Sequence, residues 1–192
     1  HDEERLMYKN LQFGNSNGGY NIKNLNTALE RIELAGAFYF TVPGPKMIWQ
    51  FGELAYDYSI NYCQDGTIDE SCRTHPKPIE WGYTDEWQRS QLFTLYKELI
   101  DLKKTYPVFE TDNYSLNVGG YLKSIELMDD EMNVAVLGNF STSEATMTFG
   151  FVQGGYWYEY FSGDSLLAGD FAPEEIDLAP GEYRLYTDVK IS

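Results

Sequence analysis

Apolar positions change their spacing about halfway along the chain. Between residues 25 and 40, Leu25, Leu29, Ile32 and Gly36 recur at helical spacing, and Thr27-x-x-Glu30 has the form of a capping box. A helix is expected over 25–40, broken by Pro43-Gly44-Pro45, because proline lacks an amide donor and restricts the residue before it. The run from Lys46 to Phe51 has the length and flanks of a buried strand. Residues 52–83, rich in Gly, Asp, Asn, Tyr and Pro, hold no sustained period and read as one long irregular excursion. A second helix follows Thr84: Asp85 and Glu86 suit its positive end, Leu92, Leu95, Tyr96, Leu99 and Leu102 form its buried stripe, Lys103 and Lys104 suit its last turn, and Pro107 stops it.

Beyond Pro107 the period becomes two. Strands are expected near 121–127, 132–140, 144–151, 155–161 and 183–189, separated by Asp-Asp, Gly-Gly and Pro-Gly punctuation. Short strands at such spacing argue for an antiparallel sandwich or barrel. The sequence therefore divides into an α/β part, 1–107, and an all-β part, 108–192. In the run Gly155-Tyr156-Trp157-Tyr158-Glu159-Tyr160-Phe161, alternation puts Tyr156, Tyr158 and Tyr160 on one face and Trp157 and Phe161 on the other, so one set is core and the other is open to a sugar-stacking role.

Composition narrows the partners. With 14 basic and 30 acidic residues the formal charge is −16, which repels a phosphate backbone and an anionic membrane surface but suits a neutral ligand such as a sugar. No apolar run approaches the roughly 18 residues of a membrane helix. Cys63 and Cys72, nine positions apart, fit either a local disulfide in an exported protein or two thiols, and with His75 they fall short of a zinc site. Glu53, Asp57, Asp65 and Asp69 lack the Asp-x-Asp-x-Asp-Gly pattern of a calcium loop and read as solvated charges. Neither a metal nor a cofactor is expected.

Three stretches in order carry a resemblance: His1-Asp2-Glu3-Glu4-Arg5; Gly44-Pro45-Lys46-Met47-Ile48-Trp49-Gln50-Phe51-Gly52-Glu53; and Lys77-Pro78-Ile79-Glu80-Trp81, then Arg89, then Leu99 to Pro107. Together they resemble the α-amylase family of glycoside hydrolases, whose seventh barrel strand ends in His-Asp and whose eighth strand and last helix carry similar segments. The match departs from the family where Pro43-Gly44-Pro45 compresses the glycine-proline order and where Lys103 replaces an arginine. It covers 1–107 by motif and 108–192 only in general character.

The resemblance implies the carboxyl-terminal fragment of a (β/α)8 TIM barrel followed by an antiparallel β-sandwich, from a retaining enzyme acting on α-glucans. Asp2 is then a catalytic carboxylate that stabilises the transition state by binding sugar hydroxyls, and His1, Arg5 and Trp81 are substrate-binding candidates. Arg5 equally fits a surface salt bridge. The nucleophile and general acid belong to upstream strands outside this sequence, so the 192-residue chain is expected to be inactive alone. It is also expected to pack against the remainder of its parent, with an export signal on the missing part. The rival readings are a non-catalytic carbohydrate-binding or interaction module and an inactive scaffold of the same fold.

Overall fold

A computed structural model describes residues 2–170 and 172–191. Its elements, in chain order, are α1 (Leu6–Phe13), β1 (Ser16–Asn17), β2 (Tyr20–Asn21), α2 (Leu25–Thr41), α3 (Trp87–Thr105), β3 (Tyr114–Asn117), β4 (Leu122–Leu127), β5 (Val134–Asn139), β6 (Ala145–Phe149), β7 (Gly155–Glu159), β8 (Ser165–Ala168), β9 (Glu174–Leu178) and β10 (Tyr183–Thr187). The chain is thus mixed α/β with antiparallel sheets. Cα proximity groups residues 1–33 with 47–97 and residues 34–46 with 98–192. This grouping differs from a cut near 107, since α2 and α3 each contribute residues to both units.

In the first unit, Met7 of α1, Ala28, Leu29 and Ile32 of α2, Ala55 and Leu92 of α3 form one buried cluster, with Leu11 and Tyr96 packed on it. The helical stripe expected on α3 is buried at Leu92, Leu95, Leu99 and Leu102. Helix α2 starts two residues before Thr27, so Thr27 lies within its first turn and no capping box forms there. A second cluster, Leu54, Tyr56 and Tyr83 with Phe51 and Tyr58, lies within the irregular excursion.

The expected strand at 46–51 is absent. These residues are irregular, and Met47, Ile48 and Trp49 are exposed. The reason is that a strand, unlike a helix, exists only through ladder bonds to a neighbour, and no strand of the described residues runs beside this segment to supply them.

In the second unit, the order β3-β4-β5-β10-β7-β8 forms a six-stranded antiparallel sheet and β6-β9 a two-stranded one, among the described residues. Both sheets contribute to one core: Ala135, Leu137, Trp157, Ala168 and Tyr186 from the first meet Met147, Phe149, Ile176 and Leu178 from the second. Trp157 is 1% exposed and Phe151 packs on it with ring centroids 4.6 Å apart, while Tyr156 is exposed and stacks on Tyr158. Every residue of β5 is buried, because the strand is covered on both faces. Ala135 and Leu137 face the shared core, and Gly138 faces the α2 side chains Leu34 and Phe38.

Strands β3, β8 and β9 and helix α1 lie outside the elements expected from pattern. All four positions of β3 are exposed, so no alternation marks it. β9 carries Glu174, Glu175 and Asp177, poor strand formers; the outward carboxylates of Glu175 and Asp177 accept hydrogen bonds from Thr148 and Thr146 across the ladder, and Glu174 accepts from the Gly169 amide.

A Cβ at Gly138 meets Phe38 Cε2 at 2.6 Å and Leu34 Cδ1 at 2.7 Å. Gly138→Ala is expected to lower stability by about 1–3 kcal/mol through overpacking, read as a lower urea midpoint with unchanged slope.

Candidate functional site

The segment leaving 46–51 is strained. Gln50, Phe51 and Ala55 have φ of 26°, 55° and 54°, a left-handed region that residues with a Cβ rarely occupy unless their surroundings hold them there. Arg89, on α3 and 3% exposed, holds the backbone at Ala55. Its Nη1 donates to the carbonyls of Leu54 (2.8 Å) and Ala55 (2.6 Å), its Nη2 to Asp57 (2.9 Å) and its Nε to Glu86 (2.8 Å). The Tyr83 ring lies 3.9 Å from the guanidinium, and its hydroxyl donates to Asp57. Burial, then the bond to Asp57, pushes the Tyr83 phenol well above its usual range. The Tyr58 phenol, donating to Glu80 and partly buried, is pushed up to about 12. These phenols act as neutral donors that fix the loop.

A second anchor positions the amino-terminal segment. The Glu4 carboxylate accepts from the Ile60 amide (2.7 Å), the Ser59 hydroxyl (2.6 Å) and the Arg5 amide (2.8 Å). Asp2 and Arg5 thereby line one cleft of about 440 Å³ with Trp49, Gln50, Arg73, His75 and Lys77. Asp2 is exposed on irregular backbone rather than at the tip of a strand, for the same reason that 46–51 forms no strand. Burial lowers the pKa of Arg5. Trp81 stands elsewhere: 69% exposed on a turn at Trp81–Asp85, it meets Phe51 edge-on at 4.9 Å and does not line the cleft. His1 lies outside the described residues.

The far wall is set by a disulfide between Cys63 and Cys72, with Cα atoms 5.3 Å apart, which decides between the two readings of these cysteines. Lys77 Nζ donates to the carbonyls of Tyr62 (2.9 Å) and Cys72 (2.6 Å) and pins the closed loop. Asp65 and Asp69 accept from Thr67 and Ser71 at local turns, so their charges serve the loop backbone. No cluster of His, Cys, Asp and Glu able to hold a metal occurs among the described residues. Glu4, Arg89 and Lys77 were not distinguished by pattern as holding this site. Arg89 stands between Gln88 and Ser90 in a polar stretch, so no local signal marks its burial.

A second cleft of about 350 Å³ in the same unit is lined by Asn26, Glu30, Glu33, Trp87 and Gln91. Burial, and then the neighbouring Glu30 charge, raises Glu33 from 4.5 to about 7. No helix among the described residues is long and apolar enough to cross a membrane.

No family model and no curated protein matches the chain. Solved structures do match, and they define the fold as one shared with part of the α-amylase family of glycoside hydrolases. AmyP in complex with maltose has a TM-score of 0.67 at 17% identity, covering 84% of this chain and 35% of its own. A cyclomaltodextrinase has 0.63 at 19%, covering 83% and 26%. The γ-CGTase of alkalophilic Bacillus clarkii has 0.64 at 12%, covering 99% and 25%. The chain thus spans between a quarter and about a third of the length of these structures, and at such identity the likeness is one of fold.

Arg89→Met leaves two carbonyls and Asp57 without their donor, and is expected to cost about 3–5 kcal/mol in urea unfolding. For Glu33, the folded-state pKa lies above the ordinary 4.5, so the folded state holds the proton more tightly. Its contribution is full below pH 4.5 and is lost as pH rises through about 7. Glu33→Gln should therefore match the native chain at pH 4 and exceed its stability by on the order of 1–3 kcal/mol at pH 8, measured by thermal melts across that window.

Proposed function

We propose that this chain is the closing portion of a retaining α-amylase-type glycosidase acting on α-glucans, and that Asp2 is its transition-state-stabilising carboxylate. The observation that carries the reading is the meeting of Asp2 and Arg5 with Trp49 and Gln50 in one cleft, in a chain whose fold is shared with α-amylase-family structures. Retaining hydrolysis requires a nucleophile and a proton donor about 5–5.5 Å apart and passes through an oxocarbenium-like transition state. A third carboxylate that accepts hydrogen bonds from sugar hydroxyls favours that state electrostatically, because positive charge develops on the ring. Arg5 lines the same cleft as Asp2.

The nucleophile and proton donor come, in this reading, from the remainder of the parent enzyme. Supporting this are the coverage of between a quarter and about a third of the AmyP, cyclomaltodextrinase and CGTase chains and the exposure of Met47 and Ile48, an apolar pair suited to cover by a neighbouring barrel strand. Maltose, present in the AmyP structure, is the type of ligand expected. The Cys63–Cys72 disulfide supports an exported parent, since disulfides persist in oxidising compartments.

In the parent enzyme, Asp2→Asn is expected to lower kcat on starch by about 10²–10³-fold with little change in KM, read by release of reducing sugar. The 192-residue chain alone should release none; turnover by the isolated chain, or full activity in the Asp2→Asn parent, refutes the reading.

A further inference from the structure

The cleft holding Asp2 has a charge opposite to that of the chain. Acidic residues outnumber Lys and Arg by 30 to 14, yet Arg5, Arg73, His75 and Lys77 all line this cleft, and Asp2 is the single carboxylate on its wall among the described residues. No ion pair among the described residues joins Arg5, Arg73 or Lys77 to a carboxylate. The Nε of Arg5 is enclosed and has no hydrogen-bond acceptor, an arrangement that costs free energy until one is supplied. Lys77 has a lowered pKa, first from burial and then from the nearby Arg5 charge, so two cations are held close together. Two of its three donors go to Tyr62 and Cys72. Arg73 and His75 are exposed and follow directly on Cys72, so the disulfide and Lys77 hold their segment against the cleft.

A neutral glucan gains little from such a field, whereas an anionic group gains from both the field and the guanidinium forks, whose geometry matches phosphate and carboxylate. The Trp49 ring and the Gln50 amide on the same wall suit a pyranose beside the anion. We propose that this cleft accepts a phosphate or carboxylate substituent on the sugar that Asp2 addresses, with Arg5 and Arg73 as its principal ligands. The sugar part rests on the glycosidase reading; the anion part rests on the cations alone.

The test titrates the 192-residue chain with glucose 6-phosphate, glucuronate, glucose and inorganic phosphate, following the Arg5 Nε–H and Trp49 indole resonances. The charged sugars are expected to bind about tenfold or more tightly than glucose, to shift both resonances, and to weaken about three- to tenfold in Arg73→Gln or on raising salt. The stronger of the two charged sugars identifies the substituent. Equal binding of glucose and the charged sugars, no binding of any, inorganic phosphate matching glucose 6-phosphate, or an Arg73→Gln variant that binds unchanged each overturns the proposal. Arg73 is exposed, so its substitution leaves the fold intact; unchanged methyl resonances of Met7 and Leu92, buried in the same unit, verify this. Because no turnover is read, failure here leaves the glycosidase reading standing, and failure of Asp2→Asn in the parent leaves the anion result standing.

Discussion

The guanidinium of Arg89 holds the irregular half of the first unit to its helical half. Residues 52–86 contain only short 3-10 turns and one isolated bridge, so the Leu54 and Ala55 carbonyls need a partner from outside the segment. Arg89 takes both of those carbonyls and the Asp57 carboxylate while its own helix supplies Glu86. A buried charge is tolerable only with such complete pairing. The left-handed Ala55 persists because that pairing over-determines the backbone around it, while the Phe51 carbonyl accepts from the Leu54 and Tyr56 amides.

The second unit is held by a different device. β5 is covered on one face by the core it shares with β6 and β9 and on the other by α2, so its residues are apolar without alternation until Gly138. Glycine there lets the Leu34 and Phe38 side chains approach the sheet backbone. Asn139, fully buried, then turns the chain: its amide donates to the Ser143 and Leu178 carbonyls and its own carbonyl accepts from Gly181. Burial of a polar residue is offset by complete hydrogen bonding, the rule that governs Arg89 as well.

The readable features of the sequence were those decided locally. Helices α2 and α3 lie within a few residues of their expected limits because the 3.6-residue stripe, the Lys pair and Pro107 all act within a turn. β4, β5, β6, β7 and β10 fall within short β-rich runs bounded by turn residues; β6 and β7 alternate, whereas β5, covered on both faces, does not. β3 and β9 escaped because their partners, not their patterns, make them strands: β3 is exposed throughout, and the acidic face of β9 is satisfied by threonines on β6. At the site, motif order singled out Asp2 and Arg5, which share a cleft, and Trp81, which does not line it. Glu4, Lys77 and Arg89 were illegible in that role because it lies in contacts to backbone 5 to 56 residues away, which no local pattern records.

Segment 46–51 shows where local reading stops. Its apolar run carries the strand signal, yet a strand, unlike a helix, owns none of its hydrogen bonds. Helix α2 closes its bonds within itself and forms as its sequence dictates, whereas Met47, Ile48 and Trp49 stay irregular and exposed where no strand of the described residues lies alongside. The same sequence thus specifies a helix outright, whereas a strand signal alone does not make a strand. The exposed apolar run and the cationic cleft beside it are both surfaces whose chemistry calls for a complement: an apolar one for Met47 and Ile48, an anionic one for Arg5 and Arg73.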